Sequence, residues 1–405
     1  MHPLRGAVAI VGAADTPVGV VPHMSATQLC IDAARRALRD AGLRKDQIDG
    51  FITCNSMAEP YMYHAEAMAE YLQICPRYCK SAATGGGTTF SVLHEAASAI
   101  STGMCHTVLI TMADSLRSGL SREQAMTMQS STGHAQFETP YGPTVPAFYA
   151  LIARAHMAEY GTTEAQFAAV AVQARRHASL NPTAQMRELI TVDDVLNSRL
   201  IADPLHLLDC SLVSDGGAAV IVTSAERARD FPHAPVYLLG AGEGHSHEHI
   251  SQARSLTTSA AADAGRRAYE MAGCSPRDID FAELYDCFTP VVVIELEDLG
   301  FCGRVLDETM RLHGPTTTTR LLTEDISYRD VRIPTGTVLW FPWAVIGRDE
   351  TTIADADSFR PDRDQHQHPH VGFALGAHIC LGQFIARAQL VEGLHLIAQR
   401  ITRPR

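Results

Sequence analysis

The stretch AARRALRDAGLRKDQID at residues 33–49 returns at residues 264–280 as AGRRAYEMAGCSPRDID. Eight of the 17 aligned residues are identical, at a constant offset of 231 positions. An apolar stretch with glycine at its end precedes each copy, at Val11-Gly12 and at Leu239-Gly240, and each copy enters a further strand through Ile-Asp. A chance repeat of helix propensity does not repeat strand, helix, glycine and Ile-Asp in the same order. We therefore interpret the two stretches as an internal duplication of a βαβ unit.

Between the two copies, strands and helices continue to alternate. The first helix is predicted to begin after Ser25 and to end at Gly42. A glycine-rich turn at residues 84–88 leads into a second helix, and two alanine-rich helices follow between residues 147 and 178. Strands that alternate with helices predict a layered α/β architecture with right-handed crossovers.

Composition limits the classes of function. The chain has 405 residues, of which 46% are hydrophobic and 19% are charged, as in an ordinary globular protein. Its net charge of -12 and its lack of a Lys/Arg cluster argue against a nucleic-acid partner. No stretch reaches the roughly 18 apolar residues that cross a bilayer, so we expect no membrane span and a cytoplasmic location. The ten cysteines form no CxxC pair and are expected to be reduced there.

Four motifs identify the family that the first 303 residues resemble. They are GGGTTF at Gly85–Phe90, HASLNP at His177–Pro182, SDGGAA at Ser214–Ala219 and ELYDCFT at Glu283–Thr289. Together with the duplication they resemble the thiolase superfamily, and ELYDCFT is most similar to its sterol-carrier or lipid-transfer branch.

The resemblance implies an αβα-layered fold with an N-terminal half at residues 1–225 and a C-terminal half at residues 226–303. The second half is truncated, because the Gly-His-Pro loop and the second cysteine that close a thiolase do not follow it. The resemblance also implies a homodimer formed through the first half and a small partner subunit. Its expected ligand is an acyl-CoA thioester with a sterol or lipid side chain.

A thiolase carries its nucleophilic cysteine at the N-terminus of a helix, where the helix dipole and backbone N–H groups lower the pKa of the thiol and stabilise a thioester oxyanion. This chain has Gly86, Gly87 and Thr88 at that turn. Cys79 precedes the turn and Cys105 follows the helix, and we interpret both as small buried side chains. Covalent thiolysis is therefore not expected.

Tyr285 and Asp286 are the candidate catalytic residues. Sterol-carrier thiolases carry histidine where this chain has Tyr285, whereas their retro-aldolase relatives carry tyrosine. A phenol beside the Asp286 carboxylate can move a proton to or from a substrate hydroxyl. The alternative interpretation is a tyrosine that lines the core. Ser214 and Asp215 are interpreted as residues that shape a loop, because SDGG is typical of a tight turn.

The terminal part carries a second set of motifs, namely ETMR at Glu308–Arg311, FRPDR at Phe359–Arg363 and FALGAHICLG at Phe373–Gly382. In this order they resemble cytochrome P450 of the bacterial soluble type, so residues 304–405 are expected to form a mainly helical P450 fragment. The resemblance implies haem bound through Cys380 as the thiolate ligand of the iron, with Arg320 and His378 holding the propionates. His366, His368 and His370 are interpreted as solvated surface residues.

Three hypotheses about function remain open. The first is an acyl-CoA enzyme or lipid-transfer protein, aldolase-like through Tyr285; as an enzyme, a thiolase-like acyltransferase or aldolase is favoured. The second is a haem oxidoreductase or monooxygenase of P450 type, although the distal helix of a whole P450 would precede Glu308–Arg311 and a thiolase-like domain stands there. The third is a non-catalytic binding subunit, or the fused remains of two neighbouring genes joined at Gly303-Arg304-Val305.

Overall fold

The computed structural model describes residues 2–301, 317–321, 325–328, 331–335 and 338–342. The chain divides into two compact units. The first consists of Met1–His156 and Thr162–Leu299, and the second of Met157–Gly161 and Gly300–Arg405.

A six-stranded mixed sheet forms the centre of the first unit, in the order β3-β2-β4-β7-β1-β8. Strand β2 is parallel to both β3 and β4, whereas β7 runs antiparallel to its two neighbours, β4 and β1. Two further short strands, β5 and β6, pair with each other outside this sheet. The strands are β1 (Val8–Asp15), β2 (Gly50–Cys54), β3 (Tyr78–Ala82), β4 (Thr107–Ser115), β5 (Leu200–Ala202), β6 (Leu205–His206), β7 (Asp215–Ser224) and β8 (Val236–Tyr237).

Helices cover both faces of the sheet, as predicted. On one face, Ala37 of α1 and Met68 of α2 pack in one cluster with Phe51 of β2. On the other face, Val92 of α3 packs in a second cluster with Ile52 of β2. The helices are α1 (Ala26–Asp40), α2 (His64–Leu72), α3 (Thr88–Ser101), α4 (Leu116–Gly119), α5 (Arg122–Ser130), α6 (Val145–Tyr160), α7 (Glu164–Leu180), α8 (Val192–Leu196), α9 (Ala261–Ala272) and α10 (Thr289–Asp298).

The predicted ends of α1 are confirmed. The hydroxyl of Ser25 accepts a hydrogen bond from the backbone N–H of Gln28 at 3.3 Å, which satisfies one of the helix's free donors. Gly42 follows the helix with a φ of +67°, a left-handed conformation that glycine adopts without strain.

The same geometry recurs in the second copy. Gly273 follows α9 with a φ of +64°, and a single 3-10 turn at Pro276–Asp278 matches the one at Lys45–Gln47 in the first copy. The duplication predicted from the sequence therefore appears in the backbone as well.

The two copies differ in their strands. After Asp49 the chain forms β2 between β3 and β4, but residues 281–286, after Asp280, belong to no strand of the described part. The strand predicted before the second copy is present as β8, which pairs with β1, but it ends at Tyr237, before the predicted Leu239-Gly240. The physical reason is that a strand forms only where a neighbour satisfies its backbone groups, and β2 receives both its neighbours from residues later in the chain.

The extended segment at residues 240–244 packs on α9 instead. A Cβ atom added at Gly240 would lie 2.1 Å from the carbonyl oxygen of Ala268, and one at Gly242 would lie 2.0 Å from that of Ala264. At Gly244 the corresponding distance, to Ala260, is 2.3 Å. We call these contacts the glycine seam. Only glycine allows the backbone of the segment to approach the helix so closely.

The prediction that Ser214–Gly217 forms a tight turn is wrong, because β7 already begins at Asp215. The buried Asp215 carboxylate does shape loops, as expected. It accepts backbone hydrogen bonds from Val21 at 2.8 Å, from Arg117 at 2.8 Å and from Ser118 at 2.9 Å. It thereby joins the segment after β1 to the segment after β4.

In the second unit the described residues after Phe301 form two antiparallel ladders. Strand β9 (Thr317–Leu321) pairs with β12 (Val338–Pro342), and β10 (Ile326–Tyr328) pairs with β11 (Val331–Ile333). Asp325 precedes β10 and accepts hydrogen bonds from the backbone N–H of Thr335 at 2.7 Å and from Nε of Arg332 at 3.0 Å. The ETMR motif at Glu308–Arg311 lies outside the described residues.

Candidate active site

The glycine-rich turn between β3 and α3 is held by the side chain of Thr88. The hydroxyl of Thr88 donates to the carbonyl oxygen of Gly85 at 2.6 Å and accepts from the backbone N–H of Thr84 at 2.9 Å. Gly85 adopts a φ of +71°, and Gly87 is the N-cap of α3. We call Thr84–Thr88 the elbow. It places the positive end of the helix dipole at its surface.

Tyr285 lies directly on the elbow. A Cβ atom added at Gly86 would come within 2.5 Å of Cε1 and 2.6 Å of Cζ of the Tyr285 ring. The side chain of Tyr285 is 49% exposed, so it does not line the core, and the alternative interpretation from the sequence is wrong. The structure thus brings a phenol to the helix N-terminus at which a thiolase would present its thiol.

Neither neighbouring cysteine replaces that thiol. Cys79 lies in β3, before the elbow, and Cys105 is fully buried ahead of β4. Burial is the largest cause that raises the pKa of both thiols, in each case to about 11. Both are therefore protonated at neutral pH, and the elbow itself contains no cysteine.

Two hydrogen bonds anchor the loop that carries Tyr285 on the C-terminal side of this residue. The carbonyl oxygen of Cys287 accepts from the backbone N–H of Ser211 at 3.0 Å. At the start of α10, the hydroxyl of Thr289 donates at 2.8 Å to the buried carboxylate of Asp209. These contacts hold the chain directly after Asp286. We call residues 285–289 the tyrosine loop. Asp286, the second candidate catalytic residue, is exposed on this loop.

Tyr149, from α6, contributes a second phenol that the sequence did not indicate. Its ring stacks on that of Phe288, with centroids 4.4 Å apart and an interplanar angle of 26°. Burial raises the pKa of Tyr149, and the neighbouring Cys287 and Tyr285 raise it further. Nothing in the alanine-rich sequence of α6 distinguishes this tyrosine, because the contact with Phe288 is formed only in three dimensions.

Glu295, on α10, is the other residue that sequence reasoning missed. The pKa of its carboxyl is raised to about 7, with burial as the largest cause. The backbone N–H of Tyr285 acts to lower this pKa, whereas the charges of Asp286 and Asp298 act to raise it. One feature of the sequence could have revealed it, since Glu295 is a carboxylate within the apolar run Val291–Leu296.

Burial also raises the pKa of Tyr285, with further contributions from Cys287, Asp286 and Glu295. The phenol therefore keeps its proton at neutral pH. The site offers a neutral phenol that can donate a hydrogen bond, an exposed carboxylate, and a second carboxyl group that titrates near neutrality. This combination suits proton transfer more than nucleophilic attack.

Most of the residues predicted to bind haem lie outside the part of the chain that the structure describes. Arg320 lies in β9, whereas Cys380 and His378 lie outside the described residues. His366, His368 and His370 lie outside them too. In the part that the structure does describe, no three His, Cys, Asp or Glu side chains are grouped so that they could hold a metal ion. That part also contains no helix with the length and apolarity of a membrane span.

Three family models match the chain. The model of the thiolase N-terminal domain matches residues 8–226, and the model described as thiolase C-terminal domain-like matches residues 242–312. The cytochrome P450 model matches residues 293–402. The last two matches overlap at residues 293–312, which include part of α10.

Three curated relatives match this chain across most of their length. The steroid side-chain-cleaving aldolase of Thermomonospora curvata is 36% identical over 318 residues, which are 75% of this chain and 80% of the relative. The 17-hydroxy-3-oxo-4-pregnene-20-carboxyl-CoA lyase of Mycobacterium tuberculosis is 36% identical, with 74% of this chain and 80% of the relative covered. An acetyl-CoA acetyltransferase of Methanothermobacter thermautotrophicus is 32% identical, with 76% and 82% covered.

Solved structures agree with these matches. The Ltp2-ChsH2(DUF35) aldolase aligns with a TM-score of 0.67 and 36% identity, over 74% of this chain and 78% of that chain. The human mitochondrial 3-ketoacyl-CoA thiolase aligns with a TM-score of 0.56 and 18% identity, over 74% and 84%, which shows a shared fold only.

Proposed function

The chain belongs to the thiolase family, and from this premise we propose that residues 1–303 cleave a carbon–carbon bond of a β-hydroxyacyl-CoA by a retro-aldol reaction. We infer that the substrate carries a sterol or lipid side chain. Two relatives that are 36% identical support this class of substrate, since one is a steroid side-chain-cleaving aldolase and the other a carboxyl-CoA lyase.

The observation that carries the proposal is the position of Tyr285 on the elbow. Retro-aldol cleavage needs no covalent nucleophile, so the replacement of a thiol by the Tyr285 ring at Gly86 does not prevent it. Such cleavage needs a base for the substrate hydroxyl, stabilisation of the thioester oxygen, and a proton donor for the new carbanion. The elbow and the tyrosine loop supply a group for each of these tasks.

In the proposed reaction the exposed carboxylate of Asp286 accepts the proton of the substrate hydroxyl. The hydroxyl-bearing carbon becomes a carbonyl as the bond to the α-carbon breaks, and the bonding electrons pass to the α-carbon as a thioester enolate. The N-terminus of α3 stabilises the enolate oxygen. The phenol of Tyr285 donates a proton to the α-carbon and regains one from Asp286, so that the proton count balances.

The test is release of the shorter acyl-CoA from a β-hydroxyacyl-CoA, followed by chromatography with mass detection. We expect Tyr285→Phe to lower kcat/KM about 100-fold or more, because the proton donor is lost. Tyr141→Phe is the matched control, since Tyr141 is 86% exposed, and it should keep wild-type activity. Unchanged activity in Tyr285→Phe would reject the role of this phenol.

We also propose that residues 304–405 bind haem through Cys380, with Arg320 and His378 at the propionates. The P450 match at residues 293–402 includes all three positions and supports this assignment. Bound haem would supply one-electron and oxygen chemistry. The test is the absorbance of the reduced, CO-treated protein, in which a red-shifted Soret band should appear and should be lost in Cys380→Ala. A colourless protein after expression with added haem precursor would reject this proposal.

For the assembly we propose a homodimer formed through the outer edge of β3, with a small partner subunit. Strand β3 is the end strand of the six-stranded sheet, with β2 on its inner side, so its outer edge offers backbone groups to a second copy. A partner of DUF35 type is suggested by the Ltp2-ChsH2(DUF35) aldolase. Sedimentation of the purified chain tests the dimer, and co-purification with a DUF35 protein tests the subunit.

The eight cysteines of the described part are free thiols, which supports the cytoplasm as the proposed compartment.

We propose domain limits at residues 1–225, 226–303 and 304–405. If the protein shows neither cleavage nor haem binding, the third hypothesis, a non-catalytic fusion or binding subunit, becomes the best explanation.

A further inference from the structure

A buried carboxylate holds the first residue of α10. Asp209 ends the 3-10 turn Leu207–Asp209, and its Oδ1 accepts a hydrogen bond from the hydroxyl of Thr289 at 2.8 Å. Its Oδ2 accepts from the backbone N–H of His206 at 2.9 Å. Asp209 and Thr289 are each only 5% exposed. Because the loss of one partner would leave the other polar group buried and unpaired, this hydrogen bond resists rearrangement.

The turn that carries Asp209 is itself fixed to its surroundings. The backbone N–H of Leu207 donates to the carbonyl oxygen of Arg199 at 2.8 Å. The backbone N–H of Leu208 donates to the hydroxyl of Ser198 at 3.3 Å. Strand β6, directly before the turn, pairs with β5. Asp209 is therefore held in place by contacts that do not involve the tyrosine loop.

The start of α10 depends on this support. Phe288 occupies the N-cap position, and its ring has no oxygen that could accept one of the free N–H groups of the first turn. Thr289, the next residue, supplies a polar side-chain contact at this end of the helix through Asp209. A backbone contact adds to it, since Cys210 and Phe288 form an isolated antiparallel bridge. The position of the helix start is thus set by Asp209 and its neighbour.

The short chain between Thr289 and Tyr285 can transmit this position to the phenol. Three residues separate the two side chains, and Cys287, Phe288 and Thr289 are all buried. Tyr285, by contrast, is half exposed, with its ring over Gly86. A displacement of the helix start would therefore move the phenol relative to the elbow. Misplacement of a reacting group by about 1 Å can lower a rate about 100-fold.

We propose that Asp209 and Thr289 form a positioning pair for Tyr285, which fixes the start of α10 and thereby keeps the phenol over Gly86. This inference rests on the proposed retro-aldol function. It adds to the ELYDCFT motif a residue from a separate part of the chain. The role is one of positioning, because the buried pair acts through Tyr285 and not on the substrate.

The kinetic test removes the hydroxyl of Thr289 and measures release of the shorter acyl-CoA. We expect Thr289→Val to lower kcat about tenfold with little change in KM, because the proton donor is misplaced while the substrate still binds. Thr289→Ser keeps the hydroxyl and should recover most of the activity.

Thr27→Val is the matched control for this substitution. Thr27 is a buried residue in the first turn of α1, and its hydroxyl donates to the carboxylate of Glu59 at 2.7 Å. The variant loses a hydrogen bond of the same kind outside the tyrosine loop. It should therefore keep the wild-type kcat, even if its stability falls as much as that of Thr289→Val.

A second comparison separates positioning from a general loss of stability. If the pair acts through the phenol, Thr289→Val should lower kcat by less than about twofold in a Tyr285→Phe background, where no proton donor remains to be misplaced. A tenfold loss in both backgrounds would overturn the inference, and so would an unchanged kcat in Thr289→Val. If Thr289→Val does not fold, Thr289→Ala replaces it in both comparisons.

A third measurement does not depend on catalysis. With the 11 tyrosines replaced by 3-fluorotyrosine, the 19F signal of Tyr285 is assigned from its absence in Tyr285→Phe. Because the ring lies on the elbow, the wild-type signal should differ from that of free fluorotyrosine, and Thr289→Val should shift it toward the free value. Thr289→Ser and Thr27→Val should leave it in place. An unchanged signal in Thr289→Val would contradict the positioning role.

The two proposals fail in different ways. If the wild type cleaves no β-hydroxyacyl-CoA, the proposed function is rejected, while the fluorine signal still decides whether the pair positions Tyr285. If the wild type is active and Thr289→Val keeps its kcat, the positioning role is rejected and the function stands.

Discussion

The ring of Tyr285 occupies the space that a side chain at Gly86 would need, with Cε1 only 2.5 Å from the position of an ideal Cβ. We expect Gly86→Ala to push the ring off the elbow, lower the unfolding free energy by about 1–3 kcal/mol and lower kcat/KM. Urea denaturation and the acyl-CoA release assay measure the two effects.

Gly87→Ala provides the matched control for this substitution. Nothing lies within 4 Å of a Cβ at Gly87, so its cost should stay at about 1 kcal/mol or less. In a Tyr285→Ala background the cost of Gly86→Ala should largely disappear, because the clashing ring is gone. An equal cost in both backgrounds would show that the ring is not what excludes a side chain at Gly86.

The pKa of Glu295 predicts how stability changes with pH. Its folded value of about 7 lies above the ordinary 4.5, so the folded state loses stability as the pH rises between these values. Glu295→Gln removes this loss. We expect the variant to match the wild type at pH 4 and to exceed its unfolding free energy by about 1–2 kcal/mol at pH 8, after allowance for the partial exposure of the side chain. A difference that is independent of pH would contradict the assignment.

Asp215 shows the opposite dependence on pH. Although burial acts to raise its pKa, hydrogen bonds from Ser118, Val21 and Arg117 hold that pKa below the ordinary 3.8. The carboxylate therefore stabilises the fold above that value, and its contribution is lost as the pH falls through the lowered pKa.

Asp215→Asn should lower the unfolding free energy by about 2–4 kcal/mol at pH 7, because the new amide group faces backbone N–H donors. Asp32→Asn, at a partly exposed carboxylate that pairs with Arg36, is the control, with an expected cost of about 0.5 kcal/mol. The difference between Asp215→Asn and the wild type should shrink when denaturation is repeated near pH 3, and a constant difference would be evidence against the lowered pKa.

The glycine seam predicts a large effect of a single methyl group. Gly242→Ala would place a Cβ 2.0 Å from a helix carbonyl oxygen, and backbone cannot move aside as a flexible side chain does. We expect thermal and urea denaturation to show a loss of about 3 kcal/mol or more. A loss no larger than that of Gly87→Ala would mean that the segment does not lie against α9 in solution.

Much of the fold could be predicted from the sequence because its evidence is local or repeated. Ser25 and Gly42 mark the ends of α1 through their own hydrogen bonds and backbone angles, and the duplication gave the position of α9. The strand expected after Asp280 was wrong because strands depend on neighbours that the local sequence does not contain.

The site was predicted only in part for the same reason. Tyr285 belongs to a motif that can be recognised by itself. Its contact with Gly86, by contrast, joins residues 199 positions apart, and the stacking of Tyr149 on Phe288 joins residues 139 positions apart. The raised pKa of Glu295 depends on its burial, of which the surrounding apolar run Val291–Leu296 was the one sign in the sequence.

The glycine seam also restricts insertions and deletions in both of its segments. Two residues of extended chain advance about 6.6 Å, and four residues of helix advance about 6.0 Å. Because these two distances nearly match, a glycine at every second residue of the segment meets the next turn of the helix. Gly240, Gly242 and Gly244 meet Ala268, Ala264 and Ala260 in this way. One residue inserted between Gly240 and Gly244 would turn the side chain of Ala241 or Glu243 toward the helix. The spacing of the glycines can therefore change only together with that of the alanines.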